Sequence, residues 1–183
     1  MKPEIWGPPI WLFIHSLVFK LKDEMYVYVG NQLFNMIKRI TSYLPCPECS
    51  QHAVNFLSGI NTDTIKTKNE LIRVLYLFHN SVNVRKNKPL YNFSDLNKYE
   101  SVNLQQAYNN FRKVYHNRGN INLLAESFQR DLLLKDLKIW LSHHSSKFVN
   151  ATKNANNAIT SEPNAEAETQ IEIVEIDASV TNN

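Results

Sequence analysis

Both cysteines of this chain lie in one four-residue stretch, Cys46-Pro47-Glu48-Cys49. A second structural disulfide or an all-thiolate metal cage is therefore excluded. Cys-x-x-Cys spacing allows a small reversible disulfide and often accompanies a lowered thiol pKa. The pair reads first as a redox dithiol. Other chemistry-bearing residues recur at helical spacing. Trp11 and His15 are four apart, as are His79 and Asn83, with Lys86 continuing the latter face; Cys49 and His52 are three apart. Residues at these spacings share a helix face. Three helices can thus aim aromatic, imidazole and amide groups at one planar ligand. Each pair taken alone suits ordinary core packing; combined with the Cys-x-x-Cys they favour a site.

The elements that must position these groups are helical. Pro8-Pro9 opens a helix through Lys22, since proline is tolerated in a first turn. A second helix covers Met25–Leu44 and ends at Pro45. A third runs from the Cys-x-x-Cys to Leu57, stopped by Ser58-Gly59, and a fourth spans Lys68–Arg85. Further helices are expected over Asp95–Arg118 and Asn122–Phe148, broken at Asn117-Arg118-Gly119-Asn120. With only 4 glycines, the pattern predicts an all-α fold. In the last stretch Leu123, Leu124, Phe128, Leu132, Leu133, Leu137, Trp140 and Leu141 read as an amphipathic helix needing a surface to cover.

A length of 183 residues, 43% of them hydrophobic, allows one domain with a real core plus an appendage. No apolar run is long enough for a membrane span. The prolines and Glu4 near the N-terminus do not form a signal peptide. The expected surroundings are reducing, where a Cys-x-x-Cys is catalytic or metal-binding. Residues 150–183 carry one lysine and six acids, leaving +8 on residues 1–149. That acidic segment has no aromatic residue and reads as a disordered tail. The alternation Gln170-Ile171-Glu172-Ile173-Val174-Glu175-Ile176 leaves open one short strand laid on a partner. The basic residues of 1–149 are dispersed, which argues against nucleic acid as a partner.

Three ordered motifs carry a resemblance. They are Trp6-Gly7-Pro8-Pro9-Ile10-Trp11-Leu12-Phe13-Ile14-His15, Tyr43-Leu44-Pro45-Cys46-Pro47-Glu48-Cys49-Ser50-Gln51-His52, and His79-Asn80-Ser81-Val82-Asn83 leading to Lys88-Pro89. The sequence resembles the Erv/ALR-type FAD-linked sulfhydryl oxidases in their short viral form. The resemblance implies a four-helix bundle with a short fifth helix binding FAD, and usually a homodimer. It implies an oxidase domain over residues 1–99, an additional helical segment over 100–149, and the acidic tail from 150. Cys46 would exchange with substrate thiols, and Cys49 would lie against the flavin. Trp11 and His15 would pack on the cofactor, with Trp6 and Gly7 at the rim. His79 and Asn83 would bind the nucleotide, Lys88 the pyrophosphate, and Tyr99 would stack near the adenine. Tyr43 and His52 would flank the disulfide and line the flavin pocket.

Two positions depart from the family pattern. Lys86 stands where leucine is common, so it reaches a phosphate or is simply solvated; Phe19 replaces a frequent tyrosine. No shuttle cysteine pair is present, so the resemblance implies direct transfer from a protein dithiol, thioredoxin-like or from a virion. Oxygen would be the final acceptor, giving hydrogen peroxide. A viral origin would place the protein in the cytoplasm of an infected cell or in the virion. The competing classes are a zinc site and a non-enzymatic helical interaction module. The histidines lack the spacing of a zinc finger. A thioredoxin-like or Rossmann fold would need strands or a glycine-rich phosphate loop that the sequence does not offer.

Overall fold

Six consecutive positions in the first helix, Phe13 to Val18, are buried. That stretch has no solvent face and must be surrounded. The computed structural model of the protein describes residues 2–116 and 124–149, and all of these belong to one compact unit. Helix α1 spans Pro3–Lys20, starting upstream of the expected Pro8-Pro9 boundary and ending before Lys22. Pro3 takes the first helical turn, where its missing N–H costs nothing. Pro8 and Pro9 fall inside the helix and each removes a backbone bond. Burial of Trp6 and Ile10 on the same face offsets that loss.

Helix α2 (Tyr26–Ser42), α3 (Pro47–Ser58) and α4 (Lys68–Arg85) follow, close to their expected limits. With α1 they make the bundle; no strand is formed among the described residues beyond an isolated bridge. Thr67 and Glu70 form a reciprocal capping box that starts α4. At its other end Asn87 adopts φ 51°, a left-handed geometry that asparagine tolerates better than most residues. The chain then doubles back, and the Lys88 N–H donates to the Asn83 carbonyl at 2.9 Å.

The expected continuous helix over Asp95–Arg118 is two elements: a 3₁₀ stretch, Phe93–Ser101, and α5, Leu104–Tyr115. Asn103 caps α5 by accepting from the Gln106 N–H. Ala107, Tyr108, Phe111 and Tyr115 form the buried face of α5. Phe111 stacks on Phe13 of α1 at 4.6 Å, and the Tyr115 hydroxyl donates to the Ile40 carbonyl of α2 at 2.8 Å.

Helix α6, Leu124–His143, covers α2 through Leu133, Leu134 and Leu137. The Trp140 indole N–H donates to Gln32, and Arg39 pairs with Asp136. Phe128 and Leu132, expected on this covering face, are instead exposed at 61% and 39%. They lie on the opposite phase of the helix from Leu137. Leu123, the side chain of Leu124, the break at 117–120 and the segment 150–183 lie outside the described residues. No described helix is long and apolar enough to cross a membrane.

Candidate functional site

Cys46 is the N-cap of α3, with extended backbone, and Pro47 takes the first helical position. The cap holds the cysteines at a Cα–Cα distance of 5.2 Å, and they form a disulfide. The Cys49 N–H points at Cys46 Sγ, 3.2 Å away. This helix N-terminus is suited to stabilise negative charge on sulfur once the bond is reduced. Ser50 fixes the preceding loop by accepting from the Leu44 N–H at 2.9 Å. Arg85 ties the first turn of α3 to the end of α4, pairing with Glu48 at 3.1 Å.

Cys49, but not Cys46, lines a cavity of about 650 Å³. Helix α1 contributes Trp6, Gly7 and Trp11, and α3 contributes Cys49 and His52. From α4 and its returning turn come His79, Asn83, Lys86 and Lys88; Tyr99 closes the far wall. Two of the residues predicted for the pocket are not on its wall. His15 is fully buried behind it, and Tyr43 lines a different, smaller cavity.

The walls are stacked rings. His79 lies parallel to Trp11 at 4.0 Å with a 6° interplanar angle. His15 stacks on Tyr99 at 4.7 Å and contacts the Nδ1 of His79 through Nε2 at 3.1 Å. Behind these, Ile10, Ile14, Phe78 and Val82 supply apolar surface.

Sequence reasoning missed Tyr91, Arg85 and Lys98, all on the wall. Lys98 sits 4.4 Å over the Tyr91 ring and 5.2 Å from that of Tyr99. Its position beside Tyr99 was the available signal. Asn80, quoted as part of a motif but given no role, clamps the loop. It donates to the Tyr91 carbonyl at 3.1 Å and accepts from the Tyr91 N–H at 2.9 Å. That clamp lays Tyr91 along His79.

The electrostatics divide cleanly. Burial lowers the His15 pKa to about 3, with His79 and Lys98 adding to the effect. Burial, Lys98 and Lys88 bring His79 down to about 4. His52 is lowered by burial and by Arg85 and Lys86. At neutral pH these imidazoles are uncharged, so the cavity's positive charge comes from Arg85, Lys86, Lys88 and Lys98. The site is a flat-walled apolar slot with a cationic rim and a disulfide in its wall.

The histidine shifts carry a pH prediction. The unfolded chain binds protons at both positions near the ordinary histidine value of 6.5, whereas the native state binds them only near about 3 and 4. The unfolded state holds more protons in between, so stability falls as pH drops from 6.5 toward 4. Each histidine contributes a slope of about 1.4 kcal/mol per pH unit in that window. Melting temperatures measured from pH 7 down to 4.5 are expected to fall steeply, and His15→Phe to flatten the curve. A wild-type melting temperature unchanged down to pH 5 contradicts this reading of the wall.

Comparison with known proteins agrees with the geometry. The Erv1 / Alr family model matches residues 8–103, which includes the disulfide and most of the cavity wall. A protein of Invertebrate iridescent virus 3 that carries an FAD-linked sulfhydryl oxidase name is 31% identical over 88 residues. That match covers 48% of this chain and 60% of the relative, less than two thirds of its length. The FAD-linked sulfhydryl oxidase of African swine fever virus (Malawi isolate) is 29% identical over 104 residues, covering 57% of this chain and 84% of the relative. No solved structure is significantly similar to the chain. With half of its length matched, including the motif that caps α3 and the ring-lined slot, this chain belongs to the Erv1 / Alr family.

Proposed function

We propose that the protein is an FAD-dependent sulfhydryl oxidase that makes disulfides in protein dithiols. One observation carries the reading: the disulfide's Cys49 faces the ring-walled cavity. The cavity's residues fit FAD. Trp11, His79 and Tyr99 offer planar surface for flat ring systems. Trp6 carries a buried indole N–H with no acceptor among the described residues, a donor that a polar ligand can satisfy. Asn83 adds an amide, and Lys86, Lys88 and Lys98 are cations suited to a pyrophosphate. Lys86 thereby takes the phosphate-facing of its two sequence readings.

In this reading a substrate thiolate bonds to Cys46 Sγ, the Cys46–Cys49 bond breaks, and Cys49 leaves as thiolate. The α3 N-terminus and the basic rim stabilise that charge. A second substrate thiolate attacks the mixed disulfide and releases Cys46, so the substrate loses two electrons and two protons. Bound FAD would supply the two-electron acceptor for the dithiol, with oxygen as the final acceptor and hydrogen peroxide as the product. A homodimeric assembly and a location in the infected cell or virion belong to the same proposal by family likeness.

The zinc alternative needs two free thiolates, which the structure joins to each other. Among the described residues no group of three or more His, Cys, Asp or Glu side chains is placed to hold a metal. The test is flavin content. Purified protein is expected to hold FAD near one per chain, and Asn83→Ala to lose most of it while keeping its helical circular dichroism. Full occupancy and normal turnover in Asn83→Ala contradict the assignment of this face.

A further inference from the structure

The disulfide stands between two cavities. Cys49 and His52 lie on the face of α3 that meets the large slot, whereas Pro47, Ser50, Gln51 and Val54 occupy the opposite face. On that side lies a second cavity of about 250 Å³, bounded by the end of α2 and closed by Glu126 and Arg130 of α6. It is small for a dinucleotide, and its wall mixes apolar Leu44, Pro47 and Val54 with hydroxyl, amide and charged groups rather than presenting stacked rings.

We infer that this groove receives the polypeptide segment flanking the substrate cysteine, and that α6 forms its outer wall. The inference rests on the sulfhydryl-oxidase reading and adds to it a docking site for the protein substrate. Thiol–disulfide exchange is in line: the incoming sulfur approaches along the axis of the bond it breaks. Attack on Cys46 that expels Cys49 therefore comes from the side away from Cys49, and so away from the large slot. The main chain carrying that sulfur must lie along the outer face of α3. The groove is continuous with the disulfide loop there, through Tyr43, Leu44 and Pro47.

Its chemistry fits an extended main chain. The Gln51 amide and the Tyr43 hydroxyl supply donors and acceptors at the scale of peptide groups. Arg130 is 2% exposed, with its Nη2 donating to Ser127 at 2.8 Å, so this wall is built rather than floppy. Glu126, half-buried, forms the opposite lip. The exchange balances within the two partners. The substrate sulfur bonds to Cys46, Cys49 takes the electron pair of the broken bond, and the second substrate thiolate then displaces Cys46.

The test compares two dithiols on the full chain loaded with FAD: reduced thioredoxin as the protein probe and dithiothreitol as the small one. Val54→Trp and Glu126→Trp each fill the groove from a different helix. In both, the ratio of kcat/KM for thioredoxin to that for dithiothreitol is expected to fall at least about tenfold. The rise is expected in the thioredoxin KM rather than a loss of kcat. Val84→Trp, on an exposed position of α4 remote from the groove, is expected to leave the ratio unchanged. If the wild-type protein holds no FAD and oxidises neither probe, the oxidase reading itself fails. If FAD-loaded Val54→Trp and Glu126→Trp show the wild-type ratio, the groove fails alone. A ratio that rises overturns it too.

Discussion

Cys49→Ser and Cys46→Ser each abolish dithiol oxidation, by at least about 10³-fold, as loss of a covalent nucleophile does. They are expected to differ in spectrum. Cys49 lines the large cavity and Cys46 does not. In Cys46→Ser the remaining thiol is the one facing the cofactor. Its thiolate, favoured by the α3 N-terminus, is expected to give a long-wavelength charge-transfer absorption with bound FAD. Cys49→Ser is expected to lack that band and instead to accumulate a mixed disulfide at Cys46 when given substrate. Neither behaviour follows if the cysteines are merely structural. The opposite assignment of the band reverses the proposed order of the two sulfurs.

The second large effect is structural and concerns where the oxidase domain ends. The resemblance implies a boundary near residue 99, and we propose that folding nevertheless requires α5. Phe111 and Tyr115 are fully buried, against Phe13 of α1 and the Ile40 carbonyl of α2. Phe111→Ala is expected to cost about 3–5 kcal/mol, the usual loss for a core phenylalanine, measured by urea denaturation. A chain ending at Glu100 exposes the whole α5-facing side of α1 and is expected to aggregate without FAD. A chain ending at Asn150 is expected to keep FAD, small-dithiol activity and melting temperature. The backbone bonds of Lys22 to Lys147 and of Val149 to Lys20 are retained in that chain. Normal flavin binding by the chain ending at Glu100 contradicts this seam.

Local rules made much of this fold legible. Pro45 and Ser58-Gly59 bracket α3, and α3 and α4 both lie close to their expected limits; the Thr67–Glu70 capping box that starts α4 was not read from the sequence. The site faces were legible for the same reason: His79, Asn83 and Lys86 share one helical phase and all reach the cavity. What escaped was set by tertiary packing. The start of α1 moved upstream to Pro3 because burying Trp6 outweighs two missing backbone bonds. Tyr43 turns to the outer face of the disulfide loop because α2 ends one residue before it and the chain reverses there. Lys98 was signalled in the sequence only by its place beside Tyr99; most of its setting comes from Tyr91, which the Asn80 clamp brings across from a separate turn. In α6 the apolar residues read as a single covering face, and only contact with α2 selects Leu133, Leu134 and Leu137 over Phe128 and Leu132.

On the proposed function, electrons enter through Cys46–Cys49 and leave through FAD. This route is tested most directly by anaerobic titration of the purified protein with a dithiol, followed by the visible flavin band. The band is expected to bleach in wild type, to return with hydrogen peroxide when oxygen is admitted, and to stay unbleached in Cys49→Ser. A protein without flavin, or a band that bleaches equally well without Cys49, contradicts it.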